Sequence, residues 1–475
     1  MMEFLCYLLL TVIVLTLFTS FRISPKCSLG YMPLISGYNI VLICFGVYVA
    51  ISAALPIVLN GFKFVWVEGY STPTDQFSTL LVCWIALLMY VGFCLALRTA
   101  NRNRSNRFVS LDSAIVQPTV AYALVAIGIS FKVLYIQRLG GISNTLEHAS
   151  RGISANLDFA KNDALSNYVA MISYVADAAT TWLLLNAMKN KRQIVAHGFL
   201  TALILGLTYI IAAKRLVLFV PVMAITAGFG IYIRQLSVRQ APALLIASLG
   251  FGAATLFLRI YVPAAIAGVS IDLYKVSWAS GSLIAFYLFS LELSTFESIA
   301  LSVHGSHELL QRFGGWWPAF YRVNIEPFYY LVPRIIWPTK PVQLVDISHA
   351  VASVIYHSRM DETTVGIATT LIGTSWIFGG VVGLVVGMFL LAALTSRVDV
   401  FLNKMHYATP SRIVFFSLSC SLLFHFFRQG TVGWAFLIFF QSETVFLLTT
   451  FLLLYVSARA ARVAGPSPIQ GHLPE

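Results

Sequence analysis

Two basic side chains lie in the proline-rich stretch YLVPRIIWPTKP, residues 330–341. Prolines fix φ and interrupt a regular helix, so the backbone that presents Arg334 and Lys340 is expected to be stiff. The planar guanidinium of an arginine donates two parallel hydrogen bonds, a geometry that fits phosphate oxygens. The stretch therefore predicts a semi-rigid loop that binds a phosphate-containing anion.

Further cations lie at the ends of predicted membrane spans, on the side where short turns normally avoid Lys and Arg. Snorkelling towards lipid headgroups explains any one of them, but several cations at the ends of different helices suit a polyanionic ligand better. The candidates for binding a diphosphate are Lys214, Arg215, Arg259, Arg334, Lys340 and Arg428.

Candidates for acid–base chemistry lie close to the proline-rich stretch. Glu326 and His349 flank Arg334 in the sequence, and either is a candidate general base for an acceptor hydroxyl. His304 and His307 have no evident third ligand, and no D-x-D motif occurs in a predicted outer loop. We therefore expect neither a metal site nor a cofactor.

Aromatic residues precede the same stretch in FGGWWPAFYR, residues 313–322. Their ring faces can stack on sugars, although an aromatic belt at the membrane interface is an equally good interpretation. Two arginines flank the segment LGGISNTLEHAS, which lies in a second predicted outer loop, 137–165. The candidates for binding a glycan are Arg138, Arg151, Trp316, Trp317 and Tyr321.

The composition shows which elements must position these residues. Of 475 residues, 58% are apolar and only 11% are charged, whereas a soluble domain has roughly 25% charged residues. Helices are expected, because lipid offers the backbone no hydrogen bonds and the apolar runs lack the alternation of barrel strands. The net charge of +12 is concentrated in short loops, which indicates membrane orientation and not nucleic-acid binding.

We predict an all-α bundle of about eleven membrane spans, each about 20 apolar residues long. The predicted spans are 4–21, 34–59, 77–98, 113–136, 166–188, 194–213, 216–233, 241–262, 368–396, 411–427 and 433–457. Basic loops follow alternate spans, which places the N-terminus outside and the C-terminus in the cytoplasm.

The chain divides into four predicted regions. Residues 1–262 form an N-terminal bundle of about eight spans, and 263–367 form a long outer loop. Residues 368–464 form a C-terminal bundle of about three spans, followed by a disordered tail, 465–475. Within the loop, the apolar stretch 281–303 is interpreted as an interfacial or re-entrant helix. A twelfth span with a shifted N-terminus is the alternative.

Two acidic residues, Asp177 and Glu443, fall inside predicted spans, where a buried ion pair with an arginine at an outer helix end is expected. Gly379, Gly383 and Gly387 repeat at a spacing of four, which predicts close helix packing. None of the six cysteines has metal-site spacing, so neither disulfides nor structural zinc are expected.

The stretch YLVPRIIWPTKP resembles a signature of the Wzy-type oligosaccharide repeat-unit polymerases, also called O-antigen polymerases. LGGISNTLEHASRG is similar to the family's Gly-Gly loop that ends in arginine, and AAKRLVLFVP to its arginine at the head of a span. IGTSWIFGGVVGLVVG resembles the Gly-rich span after the long loop. The arginine–glycine spacing of eleven that some members carry in two outer loops does not occur in the predicted outer loops of this chain.

The resemblance implies a multi-pass enzyme of the bacterial inner membrane, with a periplasmic N-terminus and long loop. Such an enzyme transfers a growing glycan from undecaprenyl diphosphate to a new lipid-linked repeat unit during lipopolysaccharide synthesis. The cations would bind the leaving diphosphate, and Glu326 or His349 would deprotonate the acceptor hydroxyl. A flippase and a chain-length regulator are the expected protein partners.

Two other functions remain alternatives. An O-antigen ligase shares the donor but attaches the glycan to lipid A–core, and would use a histidine of an outer loop such as His349. A lipid-linked oligosaccharide flippase or other transporter should show internal repeats and broken helices around a site in the middle of the membrane. The sequence indicates neither, and a long outer loop suits chemistry better.

Overall fold

The computed structural model describes residues 1–23, 36–64, 67, 70–101, 118–142, 144–145, 164–212, 218–234, 295–329, 332, 337, 347–355, 357, 367–403 and 409–463. Every regular element in these ranges is a helix. The helices of the first half are α1 (Met2–Arg22), α2 (Gly37–Leu59), α3 (Pro73–Asn101), α4 (Pro118–Arg138), α5 (Ala164–Ser173), α6 (Val175–Asn190), α7 (Ile194–Ala212) and α8 (Phe219–Tyr232). Those of the second half are α9 (Thr295–His304), α10 (Ser306–Arg312), α11 (Trp316–Asn324), α12 (Glu326–Tyr329), α13 (Ile347–Ile355), α14 (Thr370–Asn403), α15 (Pro410–Gln429) and α16 (Val432–Val463).

Within these ranges, seven helices are long and apolar enough to cross a membrane. Three shorter apolar stretches, Ile194–Tyr209 of α7, Phe219–Tyr232 (α8) and Glu443–Val456 of α16, lie within three further predicted spans. The prediction of a helical membrane protein is confirmed, whereas the number of crossings and their orientation stay predictions. The predicted span 241–262 and the tail 465–475 lie outside the described residues.

The helix ends gather at two faces of the bundle. At one face, the Tyr7 hydroxyl near the start of α1 donates to the carbonyl of Ile57 near the end of α2, at 3.1 Å. At the other face, Asp399 accepts from the Gly37 N–H at 2.7 Å and so caps α2. Helices α10–α13, which we call the cap, lie across the first face. We call this face the capped end and the second face the opposite end.

One core joins the two halves of the chain. The buried ring of Phe45 on α2 lies 5.9 Å from that of Tyr90 on α3 and 5.0 Å from that of Phe427 on α15. Tyr90 donates to the Thr395 hydroxyl on α14 at 3.3 Å. In lipid such contacts stabilise the bundle by close packing, because no transfer from water is involved.

Helix α14 reverses direction at Gly380, whose φ of 54° and ψ of −132° are non-helical and suit only glycine well. A Cβ on Gly387 would lie 3.2 Å from Cβ of Ser375 and 3.7 Å from Leu371, residues that a straight helix would place roughly 18–24 Å away. The predicted helix over 368–396 is present, but it consists of two packed arms, 370–379 and 381–403. Only the second arm runs from the capped end to the opposite end.

The repeated glycines serve this reversal. Gly383 and Gly387 face Ser375 of the first arm so closely that no larger residue fits, which agrees with the predicted packing role. Gly379 has open space around its Cβ position, so the packing interpretation does not hold there.

Helix α9 is buried inside the bundle and not on its surface. At its start, Thr295 donates to the carbonyl of Tyr48 in the middle of α2, at 2.6 Å. At its end, a ring nitrogen of His304 lies 3.0 Å from the hydroxyl of Ser78 near the start of α3. The described part of the predicted 281–303 helix thus rises from the middle of the bundle to the capped end. Residues 281–294 lie outside the described ranges, so a re-entrant helix and a twelfth span both stay open.

The interpretation that Asp177 pairs with an arginine at an outer helix end is wrong. Its carboxylate lies 3.3 Å from Nζ of Lys132 on α4, and both side chains are buried. The Thr208 hydroxyl of α7 donates to the same carboxylate at 2.6 Å. Adjacent spans therefore supply the counter-charge from within the bundle.

Candidate functional site

The connection between α15 and α16 consists of residues 430 and 431 and lies at the capped end. Gly430 ends α15 with φ of +76°, a left-handed conformation that glycine adopts without strain. A Cβ on Gly430 would lie 2.6 Å from the carbonyl oxygen of Thr370, so the first arm of α14 packs directly on this turn. We call it the 430–431 turn.

Glu326 adjoins this turn through its neighbours. A Cβ on Gly433 would lie 2.6 Å from the carbonyl oxygen of Asn324 and 3.2 Å from Cγ of Pro327. The rings of Phe328 and Phe436 add a contact at 5.6 Å. Burial raises the pKa of the half-buried Glu326 carboxyl, and Arg322 offsets part of this rise. The sequence thus builds a carboxyl group that holds its proton more tightly than an exposed glutamate.

His349 adjoins the same turn from another direction. Its half-buried ring lies 6.5 Å from that of Trp434, three residues after the turn. The N–H of Ile367 donates to the carbonyl of Ser348 at 3.1 Å and fixes α13 beside the start of α14. Imidazole and indole therefore face each other at the edge of the turn.

Arg428 lies in the last turn of α15, two residues before Gly430, and is half-buried. Among the ion pairs of the described residues, none includes its guanidinium. A half-buried cation without a counter-ion is costly, because the protein must remove part of its hydration. Arg428 would therefore be stabilised by a bound anion.

Three predicted site residues, Glu326, His349 and Arg428, thus surround one turn although they belong to three different segments. Phe219, four residues after Arg215 in the sequence, stacks on Phe424 at 4.6 Å, one helical turn before Arg428. Six other predicted residues lie outside the described ranges: Arg151, Lys214, Arg215, Arg259, Arg334 and Lys340.

The predicted glycan-binding aromatics lie on the exposed face of α11. Trp316 is 44%, Trp317 63% and Tyr321 37% exposed. The indole N–H of Trp316 donates to the carbonyl of Phe378 at 2.8 Å, beside the reversal of α14. The Tyr321 hydroxyl donates to that of Tyr329 at 3.0 Å. Four exposed rings therefore form one aromatic surface of the cap.

Arg138 is exposed at the end of α4. Helix α4 packs mainly on α5 and α6, whereas α11 packs on α12 and α16. Arg138 and the aromatic surface therefore lie on helices with different main neighbours.

Sequence reasoning missed His425, a fully buried histidine three residues before Arg428. Its Nε2 lies 3.8 Å from Oε1 of Glu443 on α16, and the Ser421 hydroxyl donates to the same oxygen at 2.9 Å. Glu443, expected to pair with an arginine, is thus placed beside a histidine. The sequence does contain a signal for His425. A histidine inside a span is unusual, and residues three apart on a helix, such as His425 and Arg428, share a face.

Unpaired polar atoms gather around the 430–431 turn. Within the described residues, no hydrogen-bond partner reaches the Thr370 hydroxyl, the Trp434 indole nitrogen or either ring nitrogen of His425. A buried polar atom without a partner costs about 1–3 kcal/mol. Such groups in one place are typical of a site that binds a polar ligand or moves protons.

In the described part of the chain, no cluster of three or more His, Cys, Asp or Glu side chains could hold a metal ion. Comparisons with protein-family models, curated proteins and solved structures find no match to this chain. Function must therefore be argued from the chemistry of the site itself.

Proposed function

We propose that this chain is a glycan polymerase of the bacterial inner membrane, whose capped end faces the periplasm. It transfers a growing glycan from undecaprenyl diphosphate to a new lipid-linked repeat unit, as in O-antigen synthesis. The observation that carries the proposal is Arg428, which has no counter-ion among the described residues and lies at the 430–431 turn that Glu326 and His349 also adjoin.

A lipid diphosphate supplies negative charge that can pair with the guanidinium of Arg428. The dipole at the end of α15 also favours a cation, but this effect is worth only about 0.3–1 kcal/mol. A charge-assisted hydrogen bond to phosphate contributes about 1.5–3 kcal/mol, so the ligand outweighs the dipole. Arg215, four residues before Phe219, and Arg334, between Glu326 and His349 in the sequence, are the proposed additional diphosphate ligands.

The transfer breaks the bond between the anomeric carbon and the phosphate oxygen, and forms a bond from that carbon to the acceptor oxygen. Negative charge develops on the leaving diphosphate, where a fixed cation stabilises it most effectively. The acceptor proton passes to Glu326 or His349. Burial raises the pKa of Glu326 towards the working pH, which suits a general base.

The aromatic surface of the cap supports a sugar ligand. The Trp317 ring, 63% exposed, offers a flat face, and the paired hydroxyls of Tyr321 and Tyr329 add polar groups beside it. Anchoring in the membrane interface uses the same residues. Sugar stacking is favoured because this surface lies on α11 and α12, the helices that also carry Glu326.

An O-antigen ligase is the second candidate, supported by His349 against Trp434. A transporter is less well supported, even though α14 is broken, a feature that the sequence did not indicate. The reversal at Gly380 lies beside Phe378, which contacts Trp316 of the cap, so it does not form a site in the middle of the membrane.

Lipopolysaccharide banding from a strain that lacks this chain separates the candidates. Single-repeat chains identify a polymerase, and a bare core with accumulated polymer identifies a ligase. Lipid-linked repeats that stay on the cytoplasmic side identify a flippase. Complementation with the wild-type chain must restore the ladder, and an Arg428→Gln chain at the same membrane level must not.

A further inference from the structure

Three polar side chains form a stripe on one face of α15: Ser421, His425 and Arg428. Spacings of four and three place them one above another, and the stripe leads from the capped end into the bundle. Glu443 on α16 faces its lower part, with Oε1 3.8 Å from Nε2 of His425 and 2.9 Å from the Ser421 hydroxyl. A titratable ring thus lies between a fixed cation and a carboxylate.

The charge on His425 depends on what surrounds it. Arg428 disfavours a second positive charge three residues away, and Glu443 favours it. Other titratable groups on the helices packed against α15 are engaged or distant: Tyr48 lies against Phe424 and Phe427, Asp177 pairs with Lys132, Asp399 caps α2, and Tyr232 ends α8. Burial of the ring disfavours its protonated form most, Arg428 adds to this effect, and Glu443 is the described carboxylate that opposes it.

An anion bound to Arg428 changes this balance. A diphosphate carries at least two negative charges, so it more than cancels the guanidinium and reverses the sign of the nearby charge. Both ring nitrogens of His425 are without a hydrogen-bond partner in the described structure, so a proton can be added without breaking an existing bond. The protonated ring would gain an ion pair with Glu443 in a dry environment, where charges interact strongly.

We propose that the diphosphate site contains a proton site: His425 takes up a proton when a prenyl diphosphate binds at Arg428, and Glu443 is the counter-charge of the imidazolium. This inference rests on the proposed function for the identity of the anion. Because linkage is reciprocal, the diphosphate binds more tightly as the pH falls. When the diphosphate leaves, His425 returns its proton, so product release becomes coupled to loss of the proton.

Isothermal titration calorimetry in buffers of different ionisation enthalpy measures the protons taken up on binding. Farnesyl diphosphate is a suitable soluble probe, titrated into the full chain in detergent micelles. We expect wild-type protein to take up more protons than His425→Gln protein, by up to about one, and to bind up to about tenfold more tightly per unit decrease in pH. In His425→Gln protein, only the titration of the ligand itself should remain.

Two further variants test whether the proton uptake depends on the pair of His425 and Glu443. Glu443→Gln removes the counter-charge and should also reduce proton uptake, which provides a second test if His425→Gln fails to fold. Ser419→Ala removes a hydroxyl of the same helix that donates to the carbonyl of Phe415 and not to Glu443, so its uptake should match wild type. Equal uptake in wild-type and His425→Gln protein overturns the inference, as does absence of farnesyl diphosphate binding. The banding of the deletion strain judges the proposed function separately.

Discussion

Lys132 and Asp177 form an ion pair of 3.3 Å in which each side chain is only 1% exposed. The Thr208 hydroxyl lies within hydrogen-bonding distance of both, 2.5 Å from Nζ and 2.6 Å from Oδ1. The Tyr174 ring lies 5.7 Å from the same ammonium group. The pair therefore links α4, α6 and α7, and every charge in it has a partner.

Loss of one charge should destabilise the bundle severely. Lys132→Met removes the counter-ion of Asp177, so its carboxyl group must stay charged in the bundle or take up a proton, and breaking a buried pair costs about 3–5 kcal/mol. The double variant Lys132→Met, Asp177→Leu should recover most of this loss, since no charge remains. Thermal unfolding in detergent measures the effect, with the exposed Lys63→Met as the control. A Lys132→Met protein that unfolds at the wild-type temperature would refute a structural role for the pair.

The orientation of the bundle can be tested with single cysteines. The five described native cysteines are buried. With Cys27 replaced by serine, we therefore expect little labelling of native cysteines by the reagent. Cysteine in place of Ser105 should be sealed from an impermeant thiol reagent in intact spheroplasts. Cysteine in place of Gln311, an exposed residue of the cap near Gly315, should be labelled. Labelling at Ser105 alone would reverse the proposed orientation.

The reversal of α14 depends on one close approach. A Cβ on Gly383 would clash with the carbonyl oxygen of Ser375, and its carbon would lie at 3.1 Å. Gly383→Ala should therefore destabilise the protein by about 1–3 kcal/mol through overpacking. Gly379→Ala makes the same chemical change in open space and should be nearly neutral. Equal melting temperatures for the two variants would contradict the packed-arm structure.

The helices were predictable because long apolar runs have no other stable form in lipid. The reversal at Gly380 was not, because a glycine-rich run also fits a straight, closely packed span. Lys132 was overlooked as the partner of Asp177 because contacts between spans depend on which neighbours meet. A cation at the end of α15 was predictable as a departure from the usual charge pattern, whereas the role of Arg428 in binding stays a prediction. His425 could have been singled out as a histidine inside a span, but its neighbour Glu443 could not, because that contact depends on how α15 and α16 pack.

Glu326 should show opposite effects on stability and activity. Burial raises its pKa, so ionisation costs folding free energy, and this cost develops as the pH rises from about 4.3 through the raised pKa. Glu326→Gln should therefore melt no lower than wild type at neutral pH, while wild type and variant converge below pH about 4. As the general base, Glu326 must be ionised, so polymer synthesis should fall as the medium is acidified.

Polymer length at matched membrane abundance tests this role. Glu326→Gln should shorten the polymer if Glu326 is the base, and His349→Ala should do so if His349 is. Polymer synthesis by the variant that lacks the base should no longer fall as the medium is acidified, whereas synthesis by the other variant still should. Full-length polymer from both variants would exclude both residues as the base.

The cation cluster is the strongest mechanistic prediction. Arg215, Arg334 and Arg428 belong to distant segments of the sequence, and each is proposed to contact the diphosphate. A charge-assisted contact contributes about 1.5–3 kcal/mol, or roughly ten- to a hundredfold in binding. Replacement of any one by Gln should therefore shorten the polymer ladder sharply without unfolding the bundle. Replacement by Lys should rescue only partly, because the ammonium group cannot donate two parallel hydrogen bonds.

Arg234→Gln is the matched control, because Arg234 is exposed just beyond the end of α8 and should have no part in the site. Its ladder should equal that of wild type. If the three arginines only snorkel to headgroups, their Gln variants should behave like this control. If all three Gln variants give wild-type ladders at matched membrane levels, the proposed diphosphate site is wrong. Arg428, for which the described part of the chain offers no counter-ion, would then need another anion, and a transporter would become the better explanation of the fold.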